Sequence, residues 1–366
     1  MAKNADLGAA RNAKKDEFYT QLTDIEKEMR YYRKYFQGAT VFCNCDDPFE
    51  SNFFKYFALN FNRLGLKKLI STCYTDSPIA GQQLSLFDII DQKEESGNKP
   101  YKAIITKVYD TTGDGGIDML DVAELFRMGE NQLTELEGNG DFRSPECIAL
   151  LDEADIVVTN PPFSLFRDYV DILIKHQKKF IIIGNVNAIT YKEIFPLLKN
   201  NQMWIGASIH SGDRKFYVPE DYPLNAAGCG VDPDGKRYIR VKGVRWYTNL
   251  DIKQRHDEMI LVKRYNPDTY PSFDNYEAIN IDFTADIPCD FAGAMGVPIT
   301  FLDRYSPDQF EILNANDFRK SEDVPIKAHG LIKDKDGAIG GKPKYARILI
   351  RNKHPETPKE ENSYGN

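Results

Sequence analysis

The chain reads as an α/β protein in which a mostly parallel sheet, with helices on both faces, is followed by a C-terminal region of mostly strands and loops. Three observations predict this. Up to about residue 200, short apolar runs alternate with stretches of helical period that carry N-terminal caps. After Asn201, short apolar runs are separated by clusters of Pro, Gly and Asn, which indicates antiparallel strands and long loops. Finally, Asn160-Pro161-Pro162-Phe163 stands directly behind the apolar run Ala154-Asp155-Ile156-Val157-Val158-Thr159, where a buried strand has to end.

In order, Thr23 and Glu26 have capping-box spacing, and Ile25, Met29, Tyr32 and Phe36 recur at helical intervals. Ala39 to Cys45 is a buried strand. Asp47-Pro48-Phe49-Glu50 is a second capping box, opening a helix to about Leu64 that Gly65 stops. Lys67 to Tyr74 is the next strand, and Thr75 to Pro100 has the turn chemistry of an inserted loop. A strand is predicted from Lys102 to Tyr109, a helix from Ile117 to Met128, and a short helix from Pro145 to Glu153 capped by Ser144. After the strand that carries Asn160, Ser164 to His176 is helical, Lys179 to Gly184 is a strand, and Thr190 to Glu193 opens another capped helix. Later strands are predicted at Met203 to Ile209, Val244 to Leu250, Met259 to Val262 and Ala346 to Ile350. The implied division is a sheet-bearing domain over 1–206, with 243–265 completing its sheet, a loop-rich region over 207–352 and a disordered polar tail over 353–366.

A chain of 366 residues can bury a large core, and 42% hydrophobic with 28% charged content is that of a soluble globular protein. No apolar run is long enough to span a bilayer, and the N-terminus lacks the apolar core of a signal peptide, so a cytoplasmic protein is expected. The six cysteines suit reduced thiols better than a disulfide framework, and the Cys43-x-Cys45 pair has no matching pair to hold zinc. The net charge of −8 argues against a nucleic-acid partner, but it is unevenly spread. Residues 88–155 hold 17 acids against 6 bases, whereas 236–264 hold nine bases against three acids and 324–354 hold eight against two. The basic stretches are either phosphate-contacting surfaces or solvated faces of ordinary strands.

The Asn160 motif carries the chemistry. Pro162 pushes Pro161 into the extended region, so the Pro161 carbonyl is held in one direction, and the Asn160 side-chain oxygen is a second acceptor. Two acceptors converging on a substrate amino group concentrate the nitrogen lone pair and make it a nucleophile without prior loss of a proton. Phe163 can stack on the ring that bears the amino group. The plain alternative is a Pro-Pro turn between a strand and a helix.

A second loop has its own spacing. Oxygen-bearing side chains from Asp110 through Thr112, Asp114 and Asp118 to Asp121, with Gly115 between, stand at the positions of an EF-hand-like calcium loop. Asp121 stands where the longer glutamate is usual, and a strand precedes the loop. A polar turn capped by acids is the competing reading.

Over most of its length the chain resembles the EcoRI-type branch of adenine-specific DNA methyltransferases. The stretches that carry the resemblance are Asp16 to Gln21, Phe42 to Pro48, Gly140 to Ser144, Asn160 to Phe166, Gly184 to Thr190 and Gly296 to Phe301. The resemblance implies a Rossmann-like class I methyltransferase sheet, in which the strands' carboxyl ends form the site, with S-adenosylmethionine as methyl donor. It implies that Asn160, Pro161, Pro162 and Phe163 act on the target base. Phe18, Tyr19 and Thr20 would close over the methionine end of the cofactor, and Asn44, Cys45, Asp46, Asp47 and Pro48 would form the first cofactor loop. Asp141 and Phe142 would read the cofactor adenine, and Asp76 is the nearest acid for its ribose. The first loop departs from the wider pattern in having no glycine.

Cofactor segments first, then the Asn160 motif, then a long basic remainder is the gamma arrangement. It implies recognition of double-stranded DNA in the C-terminal half, with Arg237, Arg240, Lys242 and Arg245 as contacts and Trp246-Tyr247 as either contacts or core. An adenine inside a duplex must be flipped out to react. A monomer is expected, with a cognate restriction nuclease acting separately. Two other readings stay open: a methyltransferase for an RNA base or protein glutamine, and a catalytically silent DNA-binding protein.

Overall fold

The computed structural model describes residues 20–45, 51–73, 100–218, 224, 228–327 and 329–357. It divides into two compact units, residues 1–185 with 206–250 and residues 186–205 with 251–366. Phe18, Tyr19, Asp46, Asp47, Pro48 and Asp76 lie outside the described residues, as does most of the expected inserted loop.

The first unit starts with helices Leu22–Met29 (α1) and Arg33–Phe36 (α2), then strand Thr40–Cys43 (β1). It continues through Asn52–Leu59 (α3), Phe61–Leu64 (α4), Lys68–Thr72 (β2), Tyr101–Ile105 (β3), Met119–Arg127 (α5) and Gln132–Glu135 (β4). Pro145–Glu153 (α6), Ile156–Thr159 (β5), Phe166–Lys175 (α7) and Lys179–Asn185 (β6) follow. Phe195–Lys199 (α8) and Trp204–Ile205 (β7) fall in the second unit. The chain re-enters the first unit through Asp213–Tyr217 (β8), Gly230–Val231 (β9), Arg237–Lys242 (β10) and Val244–Thr248 (β11).

Within the first unit, the strands of the central sheet run in the order β4-β3-β2-β1-β5-β6-β11. Its middle, β2, β1, β5 and β6, is parallel, while β3, β4 and β11 pair antiparallel, so the sheet is mixed where a mostly parallel one was expected. Apolar content marks a strand but not its direction. Every residue of β1, β5 and β11 is buried. Successive side chains point to opposite faces, so these strands are covered on both.

Helix ends follow local chemistry in most places. Ser144 accepts from Cys147 N with Pro145 in the first turn, and Gly65 closes α4 in the left-handed conformation at φ 64°. Asp118 and Asp121 form a reciprocal capping box on α5. The expected Thr23–Glu26 box does not form: α1 begins at Leu22 without a side-chain cap and stops at Met29. The helix expected at Thr190 begins at Phe195, where Pro196 sets the first turn, while Thr190 Oγ1 donates to Asn187 O. The strand expected at Met259 to Val262 is absent, and Ile260 there is 91% exposed.

In the second unit, Ile279–Asn280 (β12), Met295–Pro298 (β13), Phe310–Ile312 (β14) and Arg347–Asn352 (β17) form a sheet in the order β12-β13-β17-β14. Ala338–Ile339 (β15) and Lys342–Pro343 (β16) make a hairpin. Phe273, Tyr276, Ile332 and Leu349 anchor its core. The expected polar tail is tied down at its start, since Lys353 N donates to Gln309 O and Glu356 N to Cys289 O.

Candidate active site and nucleic-acid surface

The carboxyl ends of β2, β1 and β5 meet at Asn44. Register pairs Cys43 with Ser71 and Phe42 with Val157, which brings Thr72 and Thr159 to either side of Asn44. Thr72 Oγ1 donates to Asn44 Oδ1 at 3.0 Å, and Thr159 Oγ1 donates to the Asn44 carbonyl. Both threonines are fully buried and Asn44 is 2% exposed. The next residue, Cys45, turns the chain at φ 65°, a left-handed conformation that a side chain disfavours. The loop after β1, which has no glycine, thus turns at a cysteine.

Asn160 follows Thr159 directly and is also buried. Pro161 and Pro162 are buried, and Pro162 is extended at φ −53°, ψ 125°. Its carbonyl accepts from Leu165 N at 3.0 Å, which starts the 3₁₀ turn Phe163–Leu165 that leads into α7. Phe163 itself is half-buried. Phe166, the first residue of α7, lies on the β6 backbone: a Cβ at Gly184 would come 2.5 Å from its ring. Gly184 therefore lets the end of the Asn160 turn seat on the sheet, with Tyr247 packed against Phe166 at 5.1 Å.

Thr20 lies at the entry to α1, and Asn52 Nδ2 donates to its carbonyl at 2.7 Å. Thr20 Oγ1 is buried with no hydrogen-bond partner among the described residues. Phe142 is buried edge-on to Tyr169 of α7 at 5.0 Å. Asp141 accepts from Arg143 N at 2.8 Å, Nε at 2.9 Å and Nη2 at 2.6 Å, so Arg143 braces the carboxylate expected to read an adenine.

The basic residues separate. Strand β10 pairs antiparallel with β8 and β9 in a three-stranded sheet. Ile239 and Val241 are buried while Arg240 and Lys242 are exposed, as the twofold alternation of a strand requires. Arg240 stands opposite Lys215 and Tyr238 opposite Tyr217, on one face. The Lys215 ammonium lies 4.7 Å and 4.4 Å from the Tyr217 and Tyr238 ring centres, and Lys236 lies 5.6 Å from that of Tyr217. Asp232 accepts from Tyr217 Oη at 2.8 Å and Lys215 Nζ at 3.2 Å, and these bonds, the Tyr217 one foremost, hold its carboxyl down at about 2. Arg237 falls on the opposite face by the same alternation. Arg245 is corrected more fully: it is 3% exposed, and its guanidinium donates to His210 O at 2.6 Å and Val244 O at 2.8 Å. Trp246 and Tyr247 are core.

Further along, Arg255 and Arg264 belong to the second unit. Arg255 lies 3.8 Å from the Trp204 ring centre and pairs with Asp251, and Arg264 pairs with Asp290 and Glu356. In the other basic stretch, Arg347 is buried and bonded to Asn280 and Asp282.

Sequence reasoning missed the threonine clamp on Asn44 and the aromatic and lysine side of β8. Thr72 and Thr159 end their apolar runs, and Lys215 and Tyr217 alternate as Tyr238 and Arg240 do; those were the available signals.

The calcium loop is also corrected. Asp110 accepts from Gly113 N at 2.6 Å and Gly115 N at 2.8 Å, and Asp114 accepts from Gly116 N. Asp118 caps α5, and Asp121 accepts from Thr111 N, Thr111 Oγ1, Thr112 N and Asp118 N. Main-chain amides, that of Asp118 foremost, hold the Asp121 carboxyl at about 2. Thr112 Oγ1 itself donates to Asp110. The carboxylates close a turn, and among the described residues no group of three or more His, Cys, Asp or Glu converges as a metal site. Nor is any described helix long and apolar enough to cross a membrane.

The family model of the adenine-specific methyltransferase EcoRI matches residues 6–353. The chain is 45% identical to the type II methyltransferase M.EcoRI of Escherichia coli over 96% of its own length and 99% of that protein's. It is 35% identical to the type II methyltransferase M.MgeORF184P of Mycoplasma genitalium, with coverage of 93% and 97%. It is 34% identical to M.MpnI of Mycoplasma pneumoniae, with coverage of 93% and 96%. No solved structure matches. A match across nearly the whole chain, Asn160 and Asn44 included, places this protein in the EcoRI family of adenine-specific methyltransferases.

Proposed function

We propose that the chain methylates the exocyclic 6-amino group of an adenine flipped out of a specific duplex DNA site, using S-adenosylmethionine. The observation that carries this reading is the placement of buried Asn160 one residue beyond Thr159, which is itself bonded to Asn44. Base-side and cofactor-side elements thereby share the carboxyl end of one sheet.

The residues present fit the cofactor. Thr20 Oγ1 is a buried hydroxyl without a partner among the described residues, and Asn44 and Cys45 form a turn at the end of β1. Thr20, Asn44, Cys45 and Phe142 would hold the cofactor, with Asp141 at its adenine; when bound it supplies a methyl group on a positively charged sulfur. The chain's own part is to orient and polarise. Asn160 Oδ1 and the Pro161 carbonyl accept from the adenine amino group, sharpening its lone pair. The buried prolines fix that geometry and keep water out, and Phe163 stacks on the flipped base.

Duplex DNA lies along the face bearing Lys215, Arg240 and Lys242. The same reading takes the enzyme as a single-chain cytoplasmic protein, with a cognate nuclease acting separately at the same site. The test is product identity. With labelled cofactor and a mixture of plasmid DNA, RNA and protein, label should appear as N6-methyladenine in duplex DNA. Label in RNA, protein or cytosine overturns the reading.

A further inference from the structure

The connection that leads into the three-stranded sheet, residues 206–212, is held by a buried carboxylate and a buried guanidinium. Glu28 on α1 is fully buried, and its carboxylate accepts from Ala207 N at 2.9 Å, Ser208 N at 2.7 Å and Tyr32 Oη at 2.8 Å. From the other side, Arg245 donates to His210 O, two residues beyond Ser208. Gly206 N donates to Trp246 O at 2.8 Å, and a Cβ at Gly206 would overlap Glu28 Oε1, so the glycine admits the carboxylate.

Ionised groups are costly to bury, and an apolar contact would hold this connection with less desolvation. What charged hydrogen bonds add is direction: three donors converge on one carboxylate, and a guanidinium is aimed at a carbonyl two residues past the nearer of the two amides. We infer that Glu28 and Arg245 are positioning residues for target recognition, fixing the angle at which the three-stranded sheet leaves the catalytic sheet. This rests on the reading that the Arg240 face meets DNA. Glu28 lies on the helix that follows Thr20, so the same carboxylate ties the start of the chain's cofactor-side element to the root of its DNA-side element. Arg245, expected at the DNA, acts one step behind it.

The experiment uses the full chain as Glu28→Gln and, separately, Arg245→Lys, with Arg240→Glu/Lys242→Glu as the surface comparison. Glu28→Gln keeps shape but turns an amide NH₂ toward main-chain N–H groups, and Arg245→Lys keeps charge but loses the fork. Three quantities are read: KM for plasmid DNA, cofactor Kd by calorimetry, and the ratio of N6-methyladenine at the preferred site to that at the next-best site.

The expected result is a rise of about tenfold in KM for DNA and a comparable fall in the site ratio, with cofactor Kd within about twofold of wild type. Unchanged KM and site ratio overturn the inference. A proportional loss of cofactor affinity, DNA affinity and melting temperature also overturns it, because that is general destabilisation. If Glu28→Gln does not fold, Arg245→Lys decides alone by the same readings. If the surface variant leaves DNA binding intact, the DNA-facing reading fails and takes this inference with it. A weakened surface variant beside unaffected Glu28→Gln and Arg245→Lys sinks the inference alone.

Discussion

The crevice at the ends of β1, β2 and β5 and the three-stranded sheet of β8, β9 and β10 belong to one compact unit but are built from opposite materials. At those strand ends the buried groups are neutral: Asn44, Thr72, Thr159 and Asn160. The small sheet carries Lys215, Arg240 and Lys242 on the face that bears Tyr217 and Tyr238, with Asp232 bonded to Lys215 and Tyr217. The contrast matches two tasks. Sharpening an amino lone pair needs acceptors of fixed direction and no net charge to solvate, and burial strengthens them. Holding a polyanion needs exposed positive charge, which acts by releasing counterions. An overall charge of −8 is compatible with the second task because only the local face counts.

The largest effect should come from the neutral side. On the proposed reading, in which Asn160 Oδ1 accepts from the reacting amino group, Asn160→Ala should lower kcat by about a hundredfold or more while DNA and cofactor affinity stay near wild type. Stopped single-turnover methylation together with binding titrations measures this. Loss of binding instead of rate would erase the division between the two regions.

Next, Arg240→Glu with Lys242→Glu should weaken duplex binding about tenfold or more and flatten the salt dependence by roughly two in log–log slope. Cofactor affinity should not move. Binding measured across a salt series reads both, and an unchanged slope would place the DNA elsewhere.

Asp232→Asn should act on the small sheet alone. The Asp232 carboxyl lies at about 2, below the ordinary carboxylate value of about 4. A depressed value stabilises the folded form fully above about pH 4, and that contribution is lost as pH falls toward 2. The difference in melting temperature between wild type and Asp232→Asn should therefore be constant near neutrality and narrow below about pH 4. A difference that grows with acidity would reverse the assignment.

Smallest of all, Cys45→Gly should stabilise the fold slightly. Relief of left-handed strain is worth about 1–2 kcal/mol and glycine's extra chain entropy costs about 0.5–1 kcal/mol, leaving a gain near 1 kcal/mol or less. Denaturant unfolding measures it; a loss of stability would mean that the Cys45 side chain itself holds the turn.

Much of the core and the motif was legible from residues 20 to 185. The alternation of buried strands with capped helices follows from local chemistry, as at Ser144-Pro145 and Gly65, where a side chain or a left-handed glycine ends a helix within one turn. The Asn160 motif could be read because proline and asparagine act on their immediate neighbours. Charge was less legible. Residues 236–264 look like one basic stretch, yet Arg240 and Lys242 are exposed, Arg237 takes the other face, Arg245 is buried, and Arg255 and Arg264 enter the second unit's ion pairs.

By itself, then, the sequence determined most of the strands and helices of residues 20–185, and which residues end the strand at Asn160, because propensity, capping and proline geometry act over a few neighbours. Only the tertiary structure decided the antiparallel direction of β3 and β11, the meeting of Thr72 and Thr159 at Asn44, and the burial of Glu28 and Arg245 around one connection. Each depends on partners distant in sequence or on which face of a pleat a side chain takes, and the energies that settle them, desolvation and hydrogen bonding in a buried setting, exist only once the sheet has formed.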